Sequence, residues 1–127
     1  MKKNYFYQPL KKLINKKKIK VFISATEQSG DNIGYNIIVK LLELNKDIII
    51  DGVGGSKMKK FFNKRYYSIN DFKSIGIIEI LFSLKKFIFM ISFLKNKILL
   101  NNYDLVITID SPDFHYPLVK KIKKKGF

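Results

Sequence analysis

Ile19-Lys20-Val21-Phe22-Ile23-Ser24-Ala25-Thr26-Glu27-Gln28-Ser29-Gly30-Asp31 is the stretch that decides the fold. Ile19 to Ser24 is short, β-branched and aromatic, the composition of a buried strand, and the polar, glycine-containing run Ala25 to Gly30 is a turn. Beyond it Ile33, Ile37, Ile38, Leu41, Leu42 and Leu44 recur at near-helical spacing. That spacing predicts an amphipathic helix, with Asp31 in its first turn where a negative charge suits the helix dipole. Strand, polar loop and helix in this order open an α/β unit.

The same grammar continues outward. Ile48 to Ile50 predicts a second buried strand that ends in Asp51-Gly52-Val53-Gly54-Gly55, with a short helix from Ser56 to Phe62 behind it. Tyr66 to Phe72 fits either a short strand or a turn and stays open. Ile75 to Leu100 is overwhelmingly apolar, its only charges being Glu79, Lys85, Lys86, Lys95 and Lys97. Leu81, Leu84, Ile88, Ile91, Leu94 and Ile98 give one helical stripe, while Phe82, Phe87, Phe89, Met90 and Phe93 spread apolar surface beyond it. Such a helix is either buried on several sides or presents an acyl-chain or membrane-contacting surface rimmed by Lys. Leu105 to Ile109 is a further strand, closing on Asp110-Ser111-Pro112-Asp113, and Tyr116 to Lys125 reads as a helix with Pro117 in its first turn and Gly126 as its stop. The expected class is α/β, a doubly wound parallel sheet of three or four strands, which is lean for an open sheet and suggests an incomplete domain.

The 127 residues suffice for one ordinary domain. Residues 1–20 hold eight Lys and no acid, Lys120 to Lys125 hold five more, and the body between carries 12 basic and 10 acidic side chains, so the net +15 is concentrated at the ends. Basic ends attract water, anionic lipid or nucleic acid. The absence of an arginine-rich stretch or RNA motif speaks against nucleic acid, and none is expected as a partner. With no Cys and one His, disulfides, thiolate metal sites, a histidine cluster and a cysteine nucleophile are excluded. Residues 1–18 form a basic leader, expected to be flexible, without the apolar core or cleavage site of a secretory signal. No run approaches the roughly 20 apolar residues of a spanning helix, so a cytoplasmic placement is expected.

In an open parallel sheet, ligands gather at the carboxyl ends of the strands. Three polar elements are expected there: Ser24 to Asp31, Asp51 to Gly55, and Asp110 to Asp113. Glu27, Ser29, Gly30 and the following helix N-terminus suit a sugar hydroxyl or a phosphate, or else merely form a turn and a cap. The glycine spacing matches neither a dinucleotide fingerprint nor a Walker loop. Gly52, Gly54 and Gly55 allow a tight turn or close approach to a ligand. Asp110 directly follows an apolar strand, so its carboxylate is expected at the sheet edge, partly buried and suited to a general base. Asp113 is expected to cap the next helix, and His115 to be a surface or packed helix residue. A metal site built on Asp110 and Asp113 lacks further ligands, and no metal is expected.

Four strings go further. Ser24-Ala25-Thr26-Glu27-Gln28-Ser29-Gly30-Asp31 with Gly34, Gly52-Val53-Gly54-Gly55-Ser56-Lys57-Met58, Ile75-Gly76-Ile77-Ile78-Glu79-Ile80, and Ile109-Asp110-Ser111-Pro112-Asp113-Phe114 resemble, in order and spacing, motifs of the lipid-A-disaccharide synthase family. The resemblance covers residues 19–126. It implies a partial Rossmann-like N-terminal domain over 19–127, the first half of a two-domain GT-B-type glycosyltransferase whose C-terminal UDP-binding domain lies outside this apparently truncated sequence.

The reaction so implied is transfer of 2,3-diacylglucosamine from its UDP derivative to 2,3-diacylglucosamine 1-phosphate. It gives a β(1→6) disaccharide of the lipid A type and UDP, by inversion and without a cofactor, the UDP-sugar being a substrate. The resemblance implies Asp110 as the catalytic carboxylate. Substrate-binding or crevice-lining roles fall to Ser24, Glu27, Ser29, Gly30, Asp31, Gly54, Gly55 and Asp113. Acylated substrates imply an enzyme peripheral to the anionic inner-membrane surface, and Ile77, Ile80, Leu81, Phe82, Leu84, Phe87, Phe89, Met90 and Phe93 are the expected membrane or acyl-chain contacts. A separate C-terminal half is an implied partner. Thr26, Gln28 and Tyr35 are bulkier than the small residues usual at these places in the family, and are expected to narrow the crevice or to be sequence drift. The competing readings are a non-enzymatic peripheral membrane fragment or scaffold and, third, a small RNA-binding protein.

Overall fold

A computed structural model describes Lys16, residues 18–73 and residues 77–127, with side chains from Ser83 onward in the last segment. Its elements are strand β1 (Lys20–Ala25), helix α1 (Gln28–Leu44), strand β2 (Ile49–Gly54), a 3-10 turn (Met58–Phe61), strand β3 (Lys64–Ser68), a second 3-10 turn (Ile69–Phe72), helix α2 (Ile77–Leu100), strand β4 (Leu105–Ile109) and helix α3 (Pro112–Lys124). The strands form one parallel sheet in the order β3-β2-β1-β4. The chain therefore runs outward from β1 through β2 to β3, then returns over α2 to pair β4 on the other side of β1. This Rossmann-like α/β topology places its switch point between β1 and β4, the position where open parallel sheets bind ligands.

Alternation along the central strand divides the core between two layers. Phe22 faces Met90, Ile91, Leu94 and Ile98 of α2 and Phe114, Leu118 and Ile122 of α3. Its neighbour Ile23 faces the opposite side with Ile38 of α1, Ile50, Met58 and Ile109. Each fully buried aliphatic or aromatic side chain contributes about 1.5–3 kcal/mol by removal from water. Aromatic rings extend the first layer across β3: Tyr66 and Tyr67 stack edge-on against Phe93, and Phe72 packs edge-on against Phe114 at 4.8 Å.

Several expectations shift on contact with the fold. β2 runs on through Asp51 to Gly54, so Asp51 lies inside the sheet, where it accepts hydrogen bonds from Tyr103 Oη (2.6 Å) and the Lys64 amide (2.9 Å). Burial and the hydrogen bond to Asp51 both push the Tyr103 phenol far up, so it stays a neutral donor. Gly52 serves neither a turn nor a ligand: a Cβ there would lie 1.8 Å from the Ile23 carbonyl oxygen, so only glycine lets β2 approach β1 this closely. The open segment Tyr66 to Phe72 is the end of β3 followed by a 3-10 turn, closed by a reciprocal cap between Ser68 and Asp71. Helix α3 begins at Pro112 rather than Tyr116, which leaves Pro117 inside the helix.

On α2 the buried side is Met90, Ile91, Leu94 and Ile98, whereas Leu84 and Ile88 are exposed. The expected stripe had included both exposed residues. With large apolar side chains around the whole circumference, the 3.6-residue period could not fix the helix rotation. Among the described residues no helix is long and apolar enough to cross a membrane.

Candidate functional site

β1 and β4 end side by side, Ala25 opposite Ile109, and the chain leaves them in opposite directions. The two exits frame a crevice of about 250 Å³ lined by Thr26, Glu27, Ser111 and Asp113 on its polar side and by Phe72, Phe87 and Phe114 on its apolar side. A second hollow of similar size, lined by Thr26, Glu27, Gln28, Ile69, Phe72 and Lys73, shares Thr26, Glu27 and Phe72 with it. Glu27 is the N-cap of α1 and Ser111 that of α3, and neither side chain caps its own helix. Two helix N-termini thus meet at one crevice, α1 with free first-turn amides and α3 with that of Asp113 alone, since Pro112 has no N–H and the Phe114 amide bonds the Ser111 carbonyl. These donors suit a polar or anionic group, opposed in part by the Glu27 and Asp113 carboxylates.

The Asp110 turn holds the one pair of consecutive left-handed non-glycine residues among the described residues. Asp110 (φ 51°) and Ser111 (φ 48°) are consecutive left-handed residues, the second with ψ 60°. For residues other than glycine such a conformation costs on the order of 1 kcal/mol each, and it persists where surrounding contacts fix it. Those contacts are visible. Thr26 Oγ1 donates to Ser111 Oγ, tying the two strand exits together across the crevice. Buried His115, one turn into α3, donates from Nδ1 to the Asp110 carbonyl oxygen (2.6 Å). Because a carbonyl can only accept, the proton sits on Nδ1, and Nε2 accepts from the buried Ser24 hydroxyl at 2.8 Å.

Burial depresses the His115 basicity, opposed in part by the Asp110 carbonyl and charge. The folded protein therefore resists a proton that the unfolded chain takes up near the ordinary value of 6.5. The stability this residue contributes is present above that pH and is lost as pH falls below it toward the lower folded value. Urea unfolding at about pH 7.5 and about pH 5.5 is expected to show this loss, and His115→Asn is expected to reduce the difference between the two.

The expected site residues separate into three groups. Glu27 and Asp113 line the crevice, and Asp113 stands at the second position of α3 and is not its cap. Asp110 is exposed, not partly buried, at the β4 exit just after Ile109, and it is not among the residues that line either hollow. No hydrogen bond or ion pair among the described residues engages its carboxylate. Ser29 is exposed on the first turn of α1, outside the crevice lining.

The others turn inward. Ser24 is buried against His115, and Gly30 lets α1 pack on β1, a Cβ there falling 3.0 Å from that of Ala25. Asp31 and Gly55, expected at the crevice, instead form an internal clasp, and Gly54 packs on Met58, a Cβ there falling 3.0 Å from its sulfur. Asp31 is fully buried and accepts the amides of Gly55 (2.8 Å), Lys57 (3.1 Å) and Met58 (3.1 Å). A Cβ on Gly55 would sit 2.6 Å from its carboxylate, so the space beside this glycine is already filled.

Of the expected apolar contacts, Leu84 and Phe89 are exposed, joined by Ile88, while Phe87 and Phe93 are half-buried and Met90 is buried in the core. Ile77, Ile80, Leu81 and Phe82 have side chains outside those described. Sequence reasoning had not placed Phe72 or Lys73 at the site, nor His115 beneath it, and had included Ser111 only within the polar element Asp110 to Asp113 without singling it out. Of these, Ser111 carried a signal, its place between Asp110 and the helix start. Thr26 lines both hollows and Gln28 the second, whereas Tyr35 packs on Phe61 and lines neither.

Residues 21–127 match the model of the lipid-A-disaccharide synthetase family. The chain belongs to this family. It is 37% identical over 106 residues to the lipid-A-disaccharide synthase of Chlamydia trachomatis serovar D, covering 84% of this chain and 18% of that protein. Lipid-A-disaccharide synthases of Rickettsia typhi (38% identity, 83% of this chain, 28% of that protein) and Blochmanniella floridana (32%, 90% and 30%) are similar over the same region. The chain thus spans between about a fifth and a third of the length of these relatives. The resemblance drawn from the four strings holds, and the Rossmann-like sheet is part of a GT-B-type synthase fold.

Proposed function

We propose that this chain contributes the acceptor side of a lipid-A-disaccharide synthase and supplies its catalytic carboxylate. The observation that carries the reading is the crevice at the switch point, polar on the Glu27, Ser111 and Asp113 side and aromatic on the Phe72, Phe87 and Phe114 side. An acylated glucosamine phosphate has the same division: sugar hydroxyls for the polar wall, an anion for the two helix N-termini, and acyl chains for the aromatic wall. Asp110, exposed beside the crevice-lining Ser111 and with its carboxylate bonded to none of the described residues, accepts the proton of the acceptor 6-hydroxyl as that oxygen attacks the anomeric carbon. The bond from this carbon to UDP breaks on the opposite side, the configuration inverts, and UDP departs. The donor's UDP is held by the remainder of the synthase, on the same polypeptide or on a separate one, and its diphosphate is stabilised by main-chain dipoles and basic side chains without metal or cofactor.

Acceptor in detergent is the direct test. Addition of 2,3-diacylglucosamine 1-phosphate is expected to shift the amide resonances of residues 26–28 and 111–114, and UDP alone to leave them in place. Shifts scattered over the surface, or none, would remove the acceptor-site reading.

Acylated substrates place the reaction at the cytoplasmic surface of the anionic inner membrane. Leu84, Ile88 and Phe89, exposed on α2 beside Lys85 and Lys86, supply an apolar and basic contact for it. Replacing all three apolar residues by Ser is expected to weaken binding to phosphatidylglycerol vesicles about 30-fold, equivalent to about 2 kcal/mol of lost burial. Sedimentation with vesicles checks this, and the melting temperature should hold because the three side chains add little to the core.

A further inference from the structure

The Ser24 hydroxyl, the His115 imidazole and the Asp110 carbonyl form a buried relay that joins the end of β1 to the end of β4 through α3. Nothing in the proposed transfer uses this imidazole. Its two ring nitrogens are both engaged, it is buried, and it is not among the crevice-lining residues. A packed core histidine would need a partner for each nitrogen, but not these partners. One is the main-chain oxygen of the very residue that begins the left-handed pair, and the other is anchored in the central strand.

We propose that His115 is a positioning residue: its imidazole, held by Ser24, fixes the Asp110 carbonyl and so keeps Asp110 and Ser111 left-handed, setting the main chain from which the Asp110 carboxylate projects. The geometry explains why two adjacent non-glycine residues hold an uphill conformation without a glycine or a side-chain cap. The Thr26 to Ser111 hydrogen bond secures the second residue of the pair, and His115 secures the first. Without the Nδ1 donor, the Asp110 carbonyl is free to swing and the pair can relax toward ordinary strand or helix geometry, carrying the carboxylate with it. The value of this arrangement for sugar transfer rests on the proposed role of Asp110; the positioning itself does not.

Two variants separate the relay from bulk packing. His115→Phe keeps a ring of similar size and removes both hydrogen bonds, whereas His115→Asn keeps a donor near the Nδ1 position. In the chain as it stands, imidazole nitrogen shifts are expected to report a proton on Nδ1 and none on Nε2 at neutral pH. Carbon shifts and backbone couplings of Asp110 and Ser111 are expected to be left-handed in the wild type and in His115→Asn, and to lose that character in His115→Phe. Should His115→Phe fail to fold, Ser24→Ala replaces it: the imidazole loses its anchor, and the same resonances are expected to broaden or move.

With the remainder of the synthase supplied, His115→Phe or Ser24→Ala is expected to lower kcat about tenfold to a hundredfold with acceptor KM little changed, and His115→Asn to recover most of it. Left-handed shifts that persist in both His115→Phe and Ser24→Ala, or a proton found on Nε2, would overturn the positioning role. A wild type that forms no disaccharide would count against the proposed function instead, and leaves the nuclear resonance results to judge His115.

Discussion

Asp110→Asn is expected to lower the rate of disaccharide formation by about 10²–10⁴-fold, the usual cost of losing a general base. Asn removes the negative charge and the proton acceptor while keeping the size of the side chain and a tolerance for left-handed backbone second only to glycine. Asp110 is exposed and its carboxylate bonds to none of the described residues, so the stability change should stay within about 0.5 kcal/mol. The two readings together make the prediction sharp: mass-spectrometric assay of the product alongside a melting curve. A large rate loss with an unchanged melt assigns Asp110 to chemistry. A rate within tenfold of wild type would send the search for the base to Glu27 or Asp113, the other carboxylates at the crevice.

The second large effect concerns stability. Asp31→Ala leaves the amides of Gly55, Lys57 and Met58 without their acceptor in a loop where Gly55 and Met58 are buried. Each unsatisfied buried donor costs about 1–3 kcal/mol, and water entering the gap recovers part of the sum, so a loss of about 3–5 kcal/mol is expected. Against a total of roughly 5–15 kcal/mol for a typical domain, that is a large share. Urea unfolding reads it as a fall in midpoint on the order of 2 M, since slopes for small proteins are about 1–3 kcal/mol per molar. A fall corresponding to less than about 1 kcal/mol would mean that the clasp between α1 and the loop after β2 is not what holds that loop.

The same pair of aspartates shows what a sequence can and cannot disclose. Asp31 and Asp110 both follow an apolar strand, Asp31 after a short polar stretch and Asp110 directly, and both sit in the family's motifs and were expected at the crevice. One turned out to be buried under three amides, the other exposed on a left-handed turn, because the difference depends on where the loop after β2 folds back over α1. That is a non-local contact with no local sequence signal. Strands β1 and β4 and helix α1 were legible because their apolar runs are short, bounded by turn residues and correctly periodic. β3 was not, since Lys64-Arg65-Tyr66-Tyr67-Ser68 is an edge strand with charged residues at its exposed start and no alternating apolar pattern. The rotation of α2 escaped for the opposite reason, an excess of apolar residues. His115 was legible as a packed helix residue, but its partners Ser24 and the Asp110 carbonyl come together only when β1 and β4 pair.

The central claim is that this chain takes part in sugar transfer. The measurement that meets it most directly is disaccharide formation from UDP-2,3-diacylglucosamine and 2,3-diacylglucosamine 1-phosphate in detergent. It compares the chain alone with the chain plus a polypeptide carrying the remainder of the synthase. Product in the mixture, absent from either polypeptide alone and abolished by Asp110→Asn, is the predicted result. No product from a mixture in which both polypeptides are folded and associated would contradict it, and would leave a membrane-surface binding fragment in its place.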